Sequence, residues 1–178
     1  METYSTLRRI SQLACIIAAL MSAPHYALAQ DASAPKLVPS LIVMNAQSAS
    51  LQGETLTLNG VAPSTIVFAD RPVRAAGHML TTQLLEGWGK EGEGFAKDPP
   101  NATVSVFKKD DTTVHDAVVV LKAPKLAGDR LTFPVQVLEG DLAGADGPAS
   151  VFIDSADFEV SALQSMFPST NWPPSMRR

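Results

Sequence analysis

The chain has 178 residues, of which 46% are hydrophobic and 18% charged, a composition typical of one folded domain. It carries 14 Lys and Arg against 18 Asp and Glu, a formal net charge of −4 at pH 7. This acidic balance argues against nucleic acids and anionic membrane surfaces as partners.

The first 29 residues have the pattern of a cleaved signal peptide. Arg8 and Arg9 precede an apolar run over 10–23, and the ALA motif that ends at Ala29 has the small-x-small pattern of a cleavage site. The apolar run is shorter than the roughly 20 residues that span a bilayer, which disfavours a membrane anchor. We therefore expect cleavage after Ala29, a mature chain that starts at Gln30, and a periplasmic or extracellular location.

The single cysteine, Cys15, lies within this segment, so the mature chain of 178 − 29 = 149 residues has no disulfide. A domain of that size buries about 68–70% of its unfolded surface, which is enough for a hydrophobic core to hold it together. Removal of Arg8, Arg9 and Glu2 leaves 12 basic and 17 acidic residues and a net charge of −5. We expect no transmembrane segment after cleavage.

Residues 30–36 are small and polar, which is typical of a flexible leader. Beyond them, short alternating or apolar runs are separated by turn signals, and this pattern predicts strands. The predicted strands lie at 41–50, 54–60, 64–70, 103–108, 113–122, 130–138 and 149–154. Pro134 lies inside one of these runs and predicts that this strand is at a sheet edge, because proline cannot donate to a ladder.

A long insert over 70–101 separates two groups of predicted strands. Thr81 or Thr82 is expected to cap a short helix there, with Leu84, Leu85 and Trp88 on one of its sides. Long irregular inserts between regular strands are where binding groups tend to lie. The insert is therefore the expected functional surface.

These elements predict a mainly β fold, an antiparallel β-sandwich of about seven or eight short strands with one short helix in the long inter-strand insert. The predicted single β-sandwich domain covers 37–157, and a Pro-rich C-terminal tail covers 158–178. The order in which the strands pair does not follow from these patterns.

The motifs DRP, GH, WG, DPPNA and FID follow one another in this order within residues 45–154. In these motifs the chain resembles a family of small exported bacterial β-rich proteins of uncharacterised function. The resemblance implies a single secreted domain, and it supplies no catalytic residue.

Asp70, Arg71, Arg74 and His78 fall within nine residues, and Trp88 follows in the same insert. Arginine side chains with forked donors suit an anion or a carbohydrate, so these five residues form the candidate binding site. The alternative is a structural ion pair at a strand end, with His78 half-buried against Trp88. Structural ion pairs are common, and this alternative is favoured.

His78 and His115 are the two histidines of the mature chain, and with Asp70 and Asp116 they offer the groups of a metal or catalytic site. His115 and Asp116 are neighbours on a predicted strand and so point to opposite faces. No HxH, HExxH or GxSxG motif is present. We therefore expect no cofactor and no metal.

Three functions remain open at this point. The favoured one is a binding or structural protein of the envelope, with a small molecule or an envelope component as its ligand. The second is a small hydrolase or metal-dependent enzyme centred on Asp70, His78 and His115, which requires that these residues share one cleft. The third is a subunit of a larger assembly, which requires an exposed apolar patch or an unpaired edge strand.

Overall fold

The computed structural model describes residues 37–71, 73–88, 94–159 and 164. The predicted signal peptide, the leader over 30–36 and all of the predicted C-terminal tail except residues 158, 159 and 164 lie outside this range. The described strands are β1 (Leu37–Ala46), β2 (Ser48–Gln52), β3 (Thr55–Asn59), β4 (Ser64–Ala69), β5 (Ala75–Leu80), β6 (Asn101–Phe107), β7 (Val114–Leu121), β8 (Lys125–Ala127), β9 (Arg130–Gly140) and β10 (Ala149–Glu159). The described helices are α1 (Thr81–Trp88) and α2 (Gly94–Lys97).

The strands form one antiparallel sheet in the order β2-β3-β9-β7-β6-β10-β1-β4-β5, with β8 paired to β9. This confirms the predicted mainly β, antiparallel fold. The described residues contain ten strands rather than seven or eight. The additional strands come from the insert, from the turn before β9 and from the division of the first predicted strand into β1 and β2.

The long strand β9 joins a larger and a smaller half of this sheet. Its first part pairs with β3 and its second part with β7. Pro134 lies where the partner changes: its carbonyl accepts the N–H of Lys122, and the next N–H, from Val135, donates to the carbonyl of Glu54. The missing N–H of Pro134 falls at the end of the β7–β9 ladder, where it interrupts no run of bonds. The prediction that Pro134 marks an edge strand is therefore wrong.

One hydrophobic core takes side chains from both halves of the sheet and from α1. Side chains alternate between the faces of a strand, and β1, β3, β6, β7, β9 and β10 each place alternate residues in this core. The bulkiest core residues are Ile42, Met44, Leu56, Leu58, Trp88, Leu121, Leu131, Phe133 and Ile153.

The first turn of α1 is attached to the start of β4 by a chain of hydroxyl groups. The Leu80 N–H donates to the Gln83 side-chain oxygen over 3.3 Å, which is one half of a capping box. Thr81, the predicted cap, instead donates its hydroxyl to the Ala62 carbonyl over 2.8 Å. Its single proton is thereby used, so the hydroxyl of Thr65, 2.9 Å away, is the donor to Thr81. Both threonine side chains are buried.

Because the hydrogen bonds run in this direction, replacing Thr81 should destabilise the protein more than replacing Thr65. Thr81→Val leaves the Thr65 hydroxyl and the Ala62 carbonyl without their partners, and each buried unpaired group costs roughly 1–3 kcal/mol. Thr65→Val leaves the bond from Thr81 to Ala62 in place, so we expect a loss near the roughly 1 kcal/mol of one hydrogen bond. Urea unfolding of both variants measures the difference. The exposed neighbour Thr82→Val is the matched control, and equal losses at Thr65 and Thr81 would contradict this order.

Candidate functional site

The larger half of the sheet has an outer face that is turned away from the core. One row of directly opposed residues crosses its seven strands on that face. This row runs through His78, Ile66, Val43, Phe152, Thr103, Val118 and Glu139. The adjacent row places Ala76, Phe68, Leu41 and Asp154 side by side.

The middle of these two rows is apolar. We define the outer patch as Leu41, Val43, Ile66, Phe68 and Phe152, which lie on the neighbouring strands β4, β1 and β10. Leu41 is 38% exposed, Phe68 44% and Phe152 38%, whereas Val43 between them is buried. Directly opposed and diagonal side chains on a sheet reach one another, so these residues form a contiguous apolar surface. Contiguous exposed apolar surface on a soluble protein commonly marks an interaction site.

A cavity of about 360 Å³ opens at one end of the outer patch. Its walls are formed by Pro39, Ser40, Leu41, Phe68, Ala69, Asp70 and Asp154. Leu41 and Phe68 are directly opposed, and Asp154 is opposed to Leu41 on its other side. Apolar residues and two aspartates therefore line the cavity together, and no Lys or Arg is among the described residues that line it.

Asp70 lies in the turn that follows β4, and that turn is held mainly by backbone groups. The Asp70 carboxylate accepts a hydrogen bond from the N–H of Arg71 over 2.6 Å. The backbone carbonyl of Asp70 accepts hydrogen bonds from the N–H groups of Val73 and Arg74 over 3.0 and 3.1 Å. Arg74 has a φ of 53°, in the left-handed region. Arg71 and Arg74 are exposed and form no ion pair within the described residues. The favoured structural ion pair at this strand end is thus absent from the described part of the chain.

His78 and His115 lie on opposite faces of the sheet. His78 is exposed in the outer row, opposite Ile66. His115 is opposite Val106, whose side chain is fully buried in the core, and directly opposed residues share a face. Five strand spacings separate β5 from β7, so these two strands lie roughly 24 Å apart across the sheet at about 4.8 Å per spacing. The shared cleft that the enzyme alternative requires does not form.

Trp88 belongs to the core and is not accessible to a ligand. It is 1% exposed, and its ring lies 4.6 Å from that of Phe95 and 5.3 Å from that of Phe133, measured between centroids. His78 is on the other face of the sheet, so the expected contact between His78 and Trp88 is wrong. The indole N–H of Trp88 is buried and has no hydrogen-bond partner among the described residues.

Of the five predicted binding residues, Asp70 alone lines the cavity. The sequence-based prediction missed the apolar groups and Asp154. A signal for them was present in the run LIVM at 41–44, because an apolar residue at every position gives a strand two apolar faces. Strand pairing decides which of these two faces is covered by the core.

Among the described residues there is no group of three or more His, Cys, Asp or Glu side chains that could hold a metal ion. A lowered carboxyl pKa occurs at Asp111, caused chiefly by the hydrogen bond from the Thr113 hydroxyl and then by the N–H of Thr112. Asp111 lies in the loop that joins β6 and β7, at the end of β6 opposite to the cavity. This carboxylate is therefore not part of the candidate site.

A scan against protein-family models and searches of curated proteins and of solved structures found no match for this chain. In the described part of the chain, no helix has both the length and the apolar character needed to cross a membrane.

The unpaired indole N–H of Trp88 predicts a contrast between two substitutions. Trp88→Ala should cost about 3–5 kcal/mol of unfolding free energy, because it leaves a cavity against Phe95 and Phe133. Trp88→Phe keeps an aromatic ring and removes a polar group whose burial is uncompensated, so we expect a loss under about 1.5 kcal/mol. Chemical denaturation measures both, and similar losses in the two variants would show that the N–H has a partner.

Proposed function

We propose that this chain is an exported, single-domain binding or structural protein of the bacterial envelope that acts through its outer patch rather than by catalysis. The proposal includes membership of the family of small exported β-rich proteins that its motifs resemble. Export rests on the basic, apolar and small-x-small pattern that ends at Ala29. The absence of cysteine after Cys15 is compatible with an oxidising compartment, because no thiol there needs protection.

The observation that carries the proposal is the cavity between Asp70 and Asp154 at the end of the outer patch. Its two aspartates form no ion pair within the described residues, and its lining includes the exposed apolar side chains of Leu41 and Phe68. Complementary charge and apolar contact together select a ligand with an apolar body and a cationic group. An apolar peptide segment that carries a basic side chain has this chemistry.

The enzyme alternative receives no comparable support. Its residues Asp70, His78 and His115 would have to converge within hydrogen-bond reach of one substrate. His115 lies on the core side of the sheet, whereas Asp70 lines the cavity and His78 is in the outer row. The assembly alternative shares the apolar outer patch with the binding function, and the occupant of that surface distinguishes the two.

Three phenyl probes that differ in charge test the ligand class. We expect 4-phenylbutylamine to shift the amide resonances of Leu41, Phe68 and Asp154 at lower concentration than 4-phenylbutanol, and 4-phenylbutyrate to be weakest. The amine is attracted to two carboxylates. An exposed ion pair with one carboxylate raises the affinity by between about 1.5-fold and fivefold. Heteronuclear NMR titration of the labelled protein measures all three.

The matched variants separate charge from folding. Asp70→Asn with Asp154→Asn should abolish the preference for the amine over the alcohol and leave the alcohol's affinity unchanged. Asp129→Asn removes an exposed carboxylate from the turn between β8 and β9. It should change neither the preference for the amine nor the affinity for the alcohol. Equal affinity of the wild-type protein for the three probes, or shifts elsewhere on the surface, would reject the proposed ligand class.

Export has its own test. When the full chain is expressed in a bacterial host with an intact secretion system, we expect a mature protein that begins at Gln30. The small residue at Ala29 should be needed for cleavage, so Ala29→Arg should leave the precursor in the membrane fraction. Intact-mass measurement of both proteins decides this, with Ala29→Ser as the control that keeps a small residue. A secreted fraction of unprocessed length would contradict the cleavage site.

A further inference from the structure

β5 stands at one end of the sheet order, and within the described residues it pairs with β4 alone. Its other edge therefore presents backbone donors and acceptors without a strand partner. Unpaired edges readily accept another strand, and proteins usually block them with charged residues, proline or a bulge. The sequence of β5, AAGHML, contains no Lys, Asp, Glu, Arg or Pro, and its pairing with β4 is regular throughout.

The hydrogen bonds around β4 establish which groups of β5 face this edge. The Thr81 N–H, one residue beyond β5, donates to the carbonyl of Pro63 on the β4 side. In an antiparallel pair every second residue directs both its N–H and its C=O to the neighbouring strand. The backbone groups of Ala75, Gly77 and Met79 therefore point to β4, like those of Thr81. The Asp70 N–H, which donates to Pro39 on the β1 side, fits this alternation. The backbone groups of Ala76, His78 and Leu80 therefore point to the free edge.

Two contacts limit the free edge to a short window. At one end, the Leu80 N–H is already occupied by the side-chain oxygen of Gln83. At the other end, the Arg74 N–H donates to the carbonyl of Asp70 within the preceding turn. The window that remains consists of the N–H and C=O groups of Ala76 and His78, centred on Gly77. Each copy thus offers two donors and two acceptors.

We propose that two copies of this chain pair through β5, antiparallel, about a two-fold axis that passes beside Gly77. Ala76 of one copy lies opposite His78 of the second copy, and each such pair exchanges both of its N–H···O=C bonds. An antiparallel window centred on one residue is complementary to its own copy, and this is the geometry of an isologous interface. All outward-facing groups of the window are satisfied at once.

The same pairing extends the outer face across the dimer. Ala76 and His78 are the terminal residues of the two rows that contain the outer patch. Pairing at β5 continues these rows into the second copy, so the two outer patches lie on one continuous sheet of fourteen strands, seven from each larger half-sheet. The interface is short compared with the roughly 1,200–2,000 Å² of stable complexes, so the dimer is weak and depends on concentration. This inference does not depend on the proposed ligand.

Sedimentation equilibrium of the full chain, as the host processes it, tests the pairing from micromolar to millimolar concentration. We expect the weight-average mass to rise from one chain toward two. Ala76→Pro should abolish that rise, because proline removes one outward N–H per copy and places its ring at the interface. The monomer tolerates the change, since this N–H faces away from β4. Ala76→Val keeps the N–H and should dimerise like the wild type.

Amide hydrogen exchange on the wild-type protein tests the same bonds without any substitution. The amides of Ala76 and His78 should exchange more slowly at high than at low concentration, whereas the Gly77 amide, which faces β4, should not change. A single-chain mass over the whole range overturns the proposal. It is also overturned by exchange at Ala76 and His78 that does not vary with concentration, or by a dimer that persists in a folded Ala76→Pro protein. None of these outcomes bears on amine binding.

Discussion

The alternation of side chains across each strand, combined with a single core, is the constraint on which the rest of the structure depends. The core takes side chains from both halves of the sheet, and those of the larger half come from one face of its strands. Any apolar side chain at the opposite parity must face outward, and this places Leu41, Phe68 and Phe152 together. The same parity separates His78 from His115, because one occupies an outer position and the other an inner one.

The long insert serves the core more than the surface. α1 directs Leu84 and Trp88 inward, and the hydroxyl chain through Thr81 and Thr65 attaches its first turn to β4. Trp88 contributes apolar area and ring contacts with Phe95 and Phe133 to the core, and its indole N–H has no partner among the described residues. The cavity and the outer patch lie on β1, β4 and β10, and the insert contributes Asp70, its first residue, to the cavity wall.

The outer face and the β5 edge arise from the same ladder but involve different atoms. Side-chain parity determines which residues face outward, whereas hydrogen-bond parity determines which backbone groups face the neighbouring strand. In β5 the outward side-chain parity and the outward hydrogen-bond parity fall on the same residues, Ala76 and His78. These residues have their side chains on the outer face and direct their backbone groups to the edge that lacks a strand partner among the described residues. The outer patch and the edge of β5 are therefore adjacent but separate surfaces, and the proposed ligand and the proposed second copy would not compete for the same groups.

The sequence by itself determined the elements whose signals are local. The alternation in 54–60 became β3, the apolar run over 113–122 became β7, and the helix begins at Thr81. These follow because the periodicity of two and the turn residues act between near neighbours. The strand at 75–80 was not predicted, since Ala, Gly and His carry little strand preference without a partner.

Only the tertiary structure decided the meaning of Pro134, Trp88 and the two histidines. Pro134 is compatible with an interior strand because β9 changes partner there. Asp70 and Asp154 are 84 positions apart in sequence (154 − 70 = 84) and meet at one cavity because β4 and β10 both flank β1. Strand order of this kind results from burial of the whole core, a free energy summed over many distant residues, and no local pattern encodes it.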